Sequence, residues 1–173
     1  LPALSEGLGG AHIESHWRDG GYSLFLFPDE AAVRALTPDF ATIRAQGDVM
    51  LIATAPGTDS DIVSRVFVPG GGVDEDPVTG SAHCLLTPFW AERLGKTQIS
   101  AEQASARGGR LGCALEGDRV ILVLYRGVIV SGDPRPGPES MAVDYFHPES
   151  LPELAFPRDV RIIQDWHATL RGG

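Results

Sequence analysis

The sequence predicts an α+β fold in which a rolled, mostly antiparallel, barrel-like sheet surrounds one central buried helix. Three observations carry that expectation. About seven stretches read as strands, against a single long helical stretch from Thr79 to Leu94. From Gly80 to Ala91 that helix has no formally charged residue except His83 when protonated, and a helix apolar on every side needs cover on most of them. Several strands follow one another through short glycine turns, Gly108-Gly109 and Gly117-Asp118 among them, which suit antiparallel neighbours.

In chain order, Ala11 to Trp17 and Gly21 to Phe27 alternate as two strands joined at Gly20-Gly21. Asp29 to Leu36 reads as a short helix capped by Asp29, and Thr37-Pro38 restarts a helix through Arg44, with proline at its first position. Gly47 ends it. Val49 to Ala55 is an apolar strand, Pro56-Gly57 turns the chain, and Ile62 to Val68 is the next strand. The long helix carries Pro88, expected to kink or loosen one turn, and stops at Gly95. Ile99 to Ser105, Arg110 to Leu115 and Arg119 to Val130 complete the strands, with Gly127 marking a bulge.

The composition narrows the partners. The chain has 173 residues, 43% of them hydrophobic and 21% charged, enough for one domain with at most an appendage. A net charge of -9 argues against a nucleic acid partner, which requires a basic surface. No apolar run approaches the roughly 20 residues that cross a bilayer, and no signal peptide is apparent. Membrane partners are therefore not expected. Two cysteines, Cys84 and Cys113, fit a reducing cytoplasm, and Cys84 in the apolar helix reads as a small buried hydrophobe. His12 and His16 stand four apart in a strand-like segment with no third ligand nearby, so no metal is expected. The start at Leu1-Pro2 instead of methionine suggests a truncated or processed polypeptide.

The chemistry concentrates in Gly70-Gly71-Gly72-Val73-Asp74-Glu75-Asp76-Pro77-Val78-Thr79-Gly80-Ser81-Ala82-His83. It reads as a strand exit, a glycine loop bearing three carboxylates, and a helix start capped by Thr79 or Ser81. The small residues Gly80, Ser81 and Ala82 leave the first amides uncovered, an arrangement that receives a carboxylate or phosphate. Asp76 beside such a cradle sets an ionisable group next to a bound acid, the layout of proton transfer. The plainer reading is a tight turn with an acidic cap. Neighbouring residues in an extended loop point opposite ways, so one of Glu75 and Asp76 faces the site. Asp76, held extended before Pro77, is the favoured one. Asp74 is expected in solvent, His83 is either a polarising group or a hydrogen-bonded structural histidine, Arg65 either steers an anion or, more commonly for such a residue, forms a surface ion pair, and Arg107 sits in a turn. Burial would raise the Asp76 pKa and the helix dipole would lower it, and the sequence leaves that contest open.

Four blocks in order, Ser64–Pro69, Glu75–His83, Trp90–Lys96 and Gln103–Gly109, resemble the PhzF-like isomerase family of phenazine biosynthesis. The resemblance implies a diaminopimelate-epimerase-like fold of two pseudo-symmetric domains facing across a cleft. Residues 1–132 resemble the C-terminal domain alone, and residues 133–173 are a Pro-rich linker, Asp133-Pro134-Arg135-Pro136-Gly137-Pro138, and a tail outside the family pattern. In that tail, Ser150-Leu151-Pro152-Glu153 has a capping-box form and Val160 to Ile163 a strand-like one. The resemblance further implies cofactor-free acid/base proton transfer on a small carboxylate substrate. Asp76 is the implied catalytic residue, Thr79, Gly80 and Ser81 bind substrate, and Glu75 and His83 are further candidates. The proton-abstracting glutamate of the family belongs to a first domain outside these residues. Three readings follow: a C-terminal half that needs its missing N-terminal domain, a stand-alone module binding a carboxylate or protein, or a homodimer whose copies complete each other.

Overall fold

Ile62–Val68 (β4) decides the architecture, because it is apolar on both faces. In the computed structural model, which describes residues 2–18, 21–117 and 119–124 (backbone alone at 119 and 121–124), Val63 and Phe67 enter one core cluster. Ile62 and Val66 enter another. A strand covered on both sides sits inside its sheet with a layer on each face.

The sheet runs in the order β1 (Glu14–Arg18), β2 (Tyr22–Leu26), β3 (Met50–Pro56), β4, β6 (Gln98–Gln103), β7 (Gly109–Glu116) and β8 (Arg119–Leu124). β5 (Val73–Asp76) pairs with β4 off that path. Neighbours are antiparallel except β2 with β3 and β4 with β6. The fold is therefore α+β with one mostly antiparallel sheet. A parallel pair needs a long crossover, and the two crossovers take opposite faces. The first holds α2 (Glu30–Arg34) and α3 (Phe40–Arg44), which cover the Val63 and Phe67 face together with α1 (Pro2–Leu8). The second holds β5 and α4 (Gly80–Leu94), which covers the Ile62 and Val66 face.

Local chemistry sets the helix ends. Asp29 caps α2, its Oδ1 accepting from Ala32 N at 2.7 Å. Asp39 caps α3, its Oδ1 accepting from Ala41 N at 3.0 Å and Thr42 N at 3.2 Å. That corrects the expected start at Thr37-Pro38, since a carboxylate serving two orphan amides outweighs a pre-set proline φ. α1 was not anticipated; it has neither capping signal nor charge periodicity, and Leu4 and Leu8 hold it to the core.

α4 departs from expectation in three ways. Its buried residues, Ala82, His83, Leu86, Thr87, Trp90 and Ala91, follow the spacing of one face. Gly80, Ser81, Cys84, Pro88 and Glu92 are exposed, so the helix is not buried on all sides, and its lack of charge reflects small residues on the outer face. Cys84 is accordingly an exposed thiol and not a buried hydrophobe, while Cys113 is buried. The helix runs unbroken through Pro88, which lies on its exposed face. α4 touches both ends of the strand order. Arg93 Nη2 bonds Glu14 Oε1 of β1 at 2.6 Å, the His16 ring meets Phe89 edge-on at 5.4 Å, and β8 packs along the same helix.

The far ends of the sequence-level expectations, Tyr125 to Val130 of the last strand, the Gly127 bulge, the linker and the tail, lie outside the described residues, as do Gly20 and Asp118 of two turns. No helix among the described residues is long and apolar enough to cross a membrane.

Arg65 ties the two crossovers together. Its Nε and Nη2 bond Glu75 Oε1 and Oε2 at 2.8 and 2.9 Å, and its Nη1 donates to Leu36 O at 2.8 Å just past α2. This is a half-buried bidentate pair, 13% and 19% exposed, and not the surface pair expected. Asp74 is exposed, as expected, and there pairs with Arg44 at 2.6 Å, both side chains being about half exposed. Arg65→Ala should lower unfolding stability by about 2–4 kcal/mol, because Glu75 and the α2 carbonyls lose their donor. Arg44→Ala should cost no more than about 1 kcal/mol. Urea midpoints of the two variants, compared with the parent, check the contrast.

Candidate functional site

The acidic stretch is a hairpin, not a loop. Pro69–Gly71 forms one 3-10 turn, Gly72 takes φ +93°, and β5 returns along β4 with Asp76 opposite Val66 and Glu75 opposite Phe67. Gly72 is the hinge of that return, in a region closed to residues with a Cβ. The alternation expected of Glu75 and Asp76 is realised by this strand: Glu75 turns to Arg65, and Asp76 turns to the start of α4.

Asp76, Thr79 and Gln103 form one hydrogen-bonded unit. Thr79 Oγ1 donates to Asp76 Oδ2 at 2.6 Å. Thr79 N donates to Gln103 Oε1 at 2.8 Å, and Gln103 Nε2 donates to Asp76 O at 2.6 Å and to Thr79 Oγ1 at 3.1 Å. Ser105 Oγ adds a bond to Pro77 O at 2.8 Å. Gly109 lies so close to Val78 that any Cβ would overlap the Val78 Cγ2 methyl. The segment from Gln103 to Gly109 is thus the mould against which residues 76–79 are set. Gln103 had no assigned role in the sequence analysis. Its signal was there: Ile99, Ala101 and Gln103 share one face of β6, so a lone carboxamide sat in an apolar register.

Thr79 is the N-cap of α4 by backbone, with φ −112° and ψ 102°, but no side chain caps the helix. Its hydroxyl is spent on Asp76, so the first amides of α4 are left to solvent or ligand. Gly80 and Ser81 are exposed, as an anion cradle requires. Beside them lies a pocket of about 300 Å³ lined by Arg18, Tyr22, Ser81, Cys84 and Leu85. A second hollow of about 180 Å³ shares Arg18, Tyr22 and Leu85 and extends the groove to Trp17 and Phe89. Arg18 was invisible to sequence reasoning, because only the non-local placement of β1 brings it to α4. A larger hollow of about 440 Å³ is lined, among the described residues, by Leu4, Trp17, Gln46 and Val49, none of them ionisable or part of the motif.

His83 is a sealed histidine, with 0% exposure. Its Nδ1 lies 2.7 Å from Thr79 O; a carbonyl only accepts, so Nδ1 carries the proton. Burial pushes its pKa below the ordinary value, with the Thr79 carbonyl acting in the opposite sense. His83 reaches the site through Thr79 and not by touching a ligand. His12 and His16 serve elsewhere, His12 edge-on to Phe25 at 5.2 Å and His16 bonded to Glu14 at 3.1 Å. Among the described residues, no cluster of His, Cys, Asp and Glu could hold a metal ion. Arg107 is exposed in the bend before Gly108.

The profile of the PhzC-PhzF family, described as phenazine biosynthesis-like protein, matches residues 9–131. The chain belongs to this PhzC-PhzF family. An uncharacterized isomerase of Pseudomonas aeruginosa is 52% identical over 109 residues, 63% of this chain and 42% of its own length. The human phenazine biosynthesis-like domain-containing protein is 44% identical over 80 residues, covering 44% of this chain and 28% of its own. A PhzF-family crystal structure from Enterococcus faecalis superposes with a TM-score of 0.65 at 42% identity, over 70% of this chain and 46% of that one. The chain therefore spans about half the length, or less, of these relatives. The four family blocks named from sequence converge in space: the Ser64 block supplies Arg65, the Glu75 block the turn, and the Gln103 block its mould, while the Trp90 block anchors α4 through Trp90 Nε1 to Thr54 Oγ1 at 3.0 Å.

Two outcomes follow for this PhzF-family site. Gln103→Leu should cost about 2–4 kcal/mol in urea unfolding, because the Thr79 amide and Asp76 carbonyl lose their partners; the amide resonances of Asp76 and Thr79 should move most. A histidine with a depressed folded pKa contributes stability in full above its unfolded pKa, and loses it as pH falls. Stability should therefore decline from pH 7 toward pH 5, with His83 supplying at most about 1.4 kcal/mol per pH unit. His83→Asn, which keeps a donor for the Thr79 carbonyl, should flatten that slope in urea titrations at successive pH values.

Proposed function

We propose that the chain is the C-terminal half of a PhzF-like, cofactor-free isomerase or epimerase that moves a proton on a small carboxylate substrate. The observation that carries this reading is the open N-terminal turn of α4: Gly80 and Ser81 exposed, their amides uncapped, and Asp76 locked beside them by Thr79 and Gln103. In this reading the amides of Gly80 and Ser81 take the substrate carboxylate. Asp76, oriented by the Thr79 hydroxyl, holds an adjacent amino or hydroxyl group or returns the proton. A carboxylate from a second domain removes the hydrogen from the neighbouring carbon, since the base must lie within hydrogen-bond reach. Glu75 is spent on Arg65 and is the weaker candidate for that task.

The same proposal takes the sheet as rolled, barrel-like, around α4 as one of two halves of a diaminopimelate-epimerase-like fold. Support comes from the contacts of α4 with both β1 and β8, the two ends of the strand order. Closure of the second half over the groove would exclude water and strengthen each polar contact there. The proposed setting is the cytoplasm, where the free thiols Cys84 and Cys113 stay reduced. A homodimer is the second reading, favoured by two exposed apolar side chains, Ile13 at 65% and Trp17, which lines the groove, at 47%.

The test is exchange of the α-proton of small amino and hydroxy acids in D2O, followed by proton NMR. The isolated chain should give none, and a fusion to a PhzF-family first domain should exchange, with Asp76→Asn lowering the rate at least about 100-fold. Robust exchange by the isolated chain would overturn the missing-half reading in favour of the homodimer.

A further inference from the structure

Among the described residues, two side-chain polar atoms are buried with no protein partner within hydrogen-bonding reach: Ser64 Oγ and His83 Nε2. Both residues have 0% exposure. Strand parity and helix periodicity place both in the layer between the sheet and α4. Ser64 has the same parity on β4 as Ile62 and Val66, which pack with Ala82, Leu86 and Trp90, so its hydroxyl faces α4. Its register partner on β3 is Thr54, whose Oγ1 accepts from Trp90 Nε1 at 3.0 Å. Its register partner on β6 is Gln103, whose carboxamide holds Thr79 at the other end of the same buried helix face. Ser64 thus lies in register between Thr54 and Gln103, the two sheet residues that bond α4, and His83 is on the buried face of that helix between Thr79 and Trp90.

Their chemistry is complementary. With the proton on Nδ1, pledged to Thr79 O, His83 Nε2 presents a lone pair that needs a donor. The Ser64 hydroxyl both donates and accepts. Leaving both unsatisfied in a dry interior is costly, and a water in a polar interior site with two or more partners is the usual remedy. We propose that Ser64 and His83 hold one buried water between them, and that this bridge makes His83 the positioning residue for the Thr79 carbonyl and, through Thr79, for the Asp76 turn. The water donates to Nε2 and accepts from Ser64 Oγ; Thr54 Oγ1 and Gln103 Oε1, flanking Ser64 in register, are the acceptors for its second hydrogen. The bridge connects the centre of the sheet to the first turn of α4 without any atom of it touching a ligand. The functional consequence rests on the carboxylate-site reading given above; the bridge does not.

Long-range proton–nitrogen spectra of the histidine-labelled 173-residue chain test it. A protonated Nδ1, a bare Nε2 and a nuclear Overhauser contact from long-lived water to the His83 ring are expected. Ser64→Ala should lower the folding constant about tenfold and weaken the water contact. His83→Asn, which retains the donor to Thr79 O, should keep the Asp76 and Thr79 amide resonances near their parent positions, while His83→Gln should shift them. A protonated Nε2, the absence of the water contact, or a direct Ser64 to His83 hydrogen bond in a crystal structure at atomic resolution would overturn the proposal. These signals are read without ligand, so their failure is distinguishable from a failure to bind carboxylate.

Discussion

The carboxamide of Gln103 is the constraint on which the site depends. One buried side chain accepts from the Thr79 amide and donates to the Asp76 carbonyl and Thr79 hydroxyl, satisfying three groups that neither strand nor helix pairing could serve. Its effect is to join the end of β5 to the start of α4 at a set angle. Because the Thr79 hydroxyl is then committed to Asp76, the first turn of α4 lacks a side-chain cap. A helix normally gains about 1 kcal/mol from such a cap. Here the unmet amides face solvent, and that local cost is the physical ground for assigning them a ligand.

The sheet makes this arrangement possible through its two parallel pairs. Each demands a crossover, and the two crossovers lie on opposite faces of β4. One face is closed by α1, α2 and α3 over an apolar cluster that also takes in Ser23 and Arg65 by strand parity. The other combines apolar side chains with a polar row, Thr54, Ser64 and Gln103, in adjacent register beneath α4. The division has a consequence for rigidity. Burial, which is not directional, holds both layers, and the second adds hydrogen bonds from Thr54 and Gln103 that restrict the helix in rotation and translation. A site built on the end of α4 gains its accuracy from that second layer. Arg65 links the layers, since its guanidinium reaches Glu75 beside the site and the carbonyl of Leu36 past α2.

Much of the molecule was legible in the residues alone. Strand positions followed from alternation, the caps of α2 and α4's end from Asp29 and Gly95, and the turn at Asp76 to Ser81 from its glycine and carboxylate chemistry. Errors arose where one local signal had two structural outcomes. An uncharged helix can be covered on all sides, or it can show solvent a face of Gly80, Ser81, Cys84 and Pro88; periodicity of charge does not separate the two. An acidic run after glycines can be a loop or the returning arm of a hairpin, and only pairing with β4 decides.

The division between the two levels has a physical basis. Residue types in fixed local order determined the α+β class and the family, and singled out Asp76, Thr79, Gly80 and Ser81 as candidates, because backbone preference, capping and turn chemistry act over a few residues. Tertiary structure alone decided that Gln103 clamps the turn, that Arg18 lines the groove, that Glu75 is taken by Arg65, and that Ser64 Oγ and His83 Nε2 are buried without a protein partner. Those relations join residues tens of positions apart, and strand register, which no short stretch of sequence encodes, brings them within bonding distance.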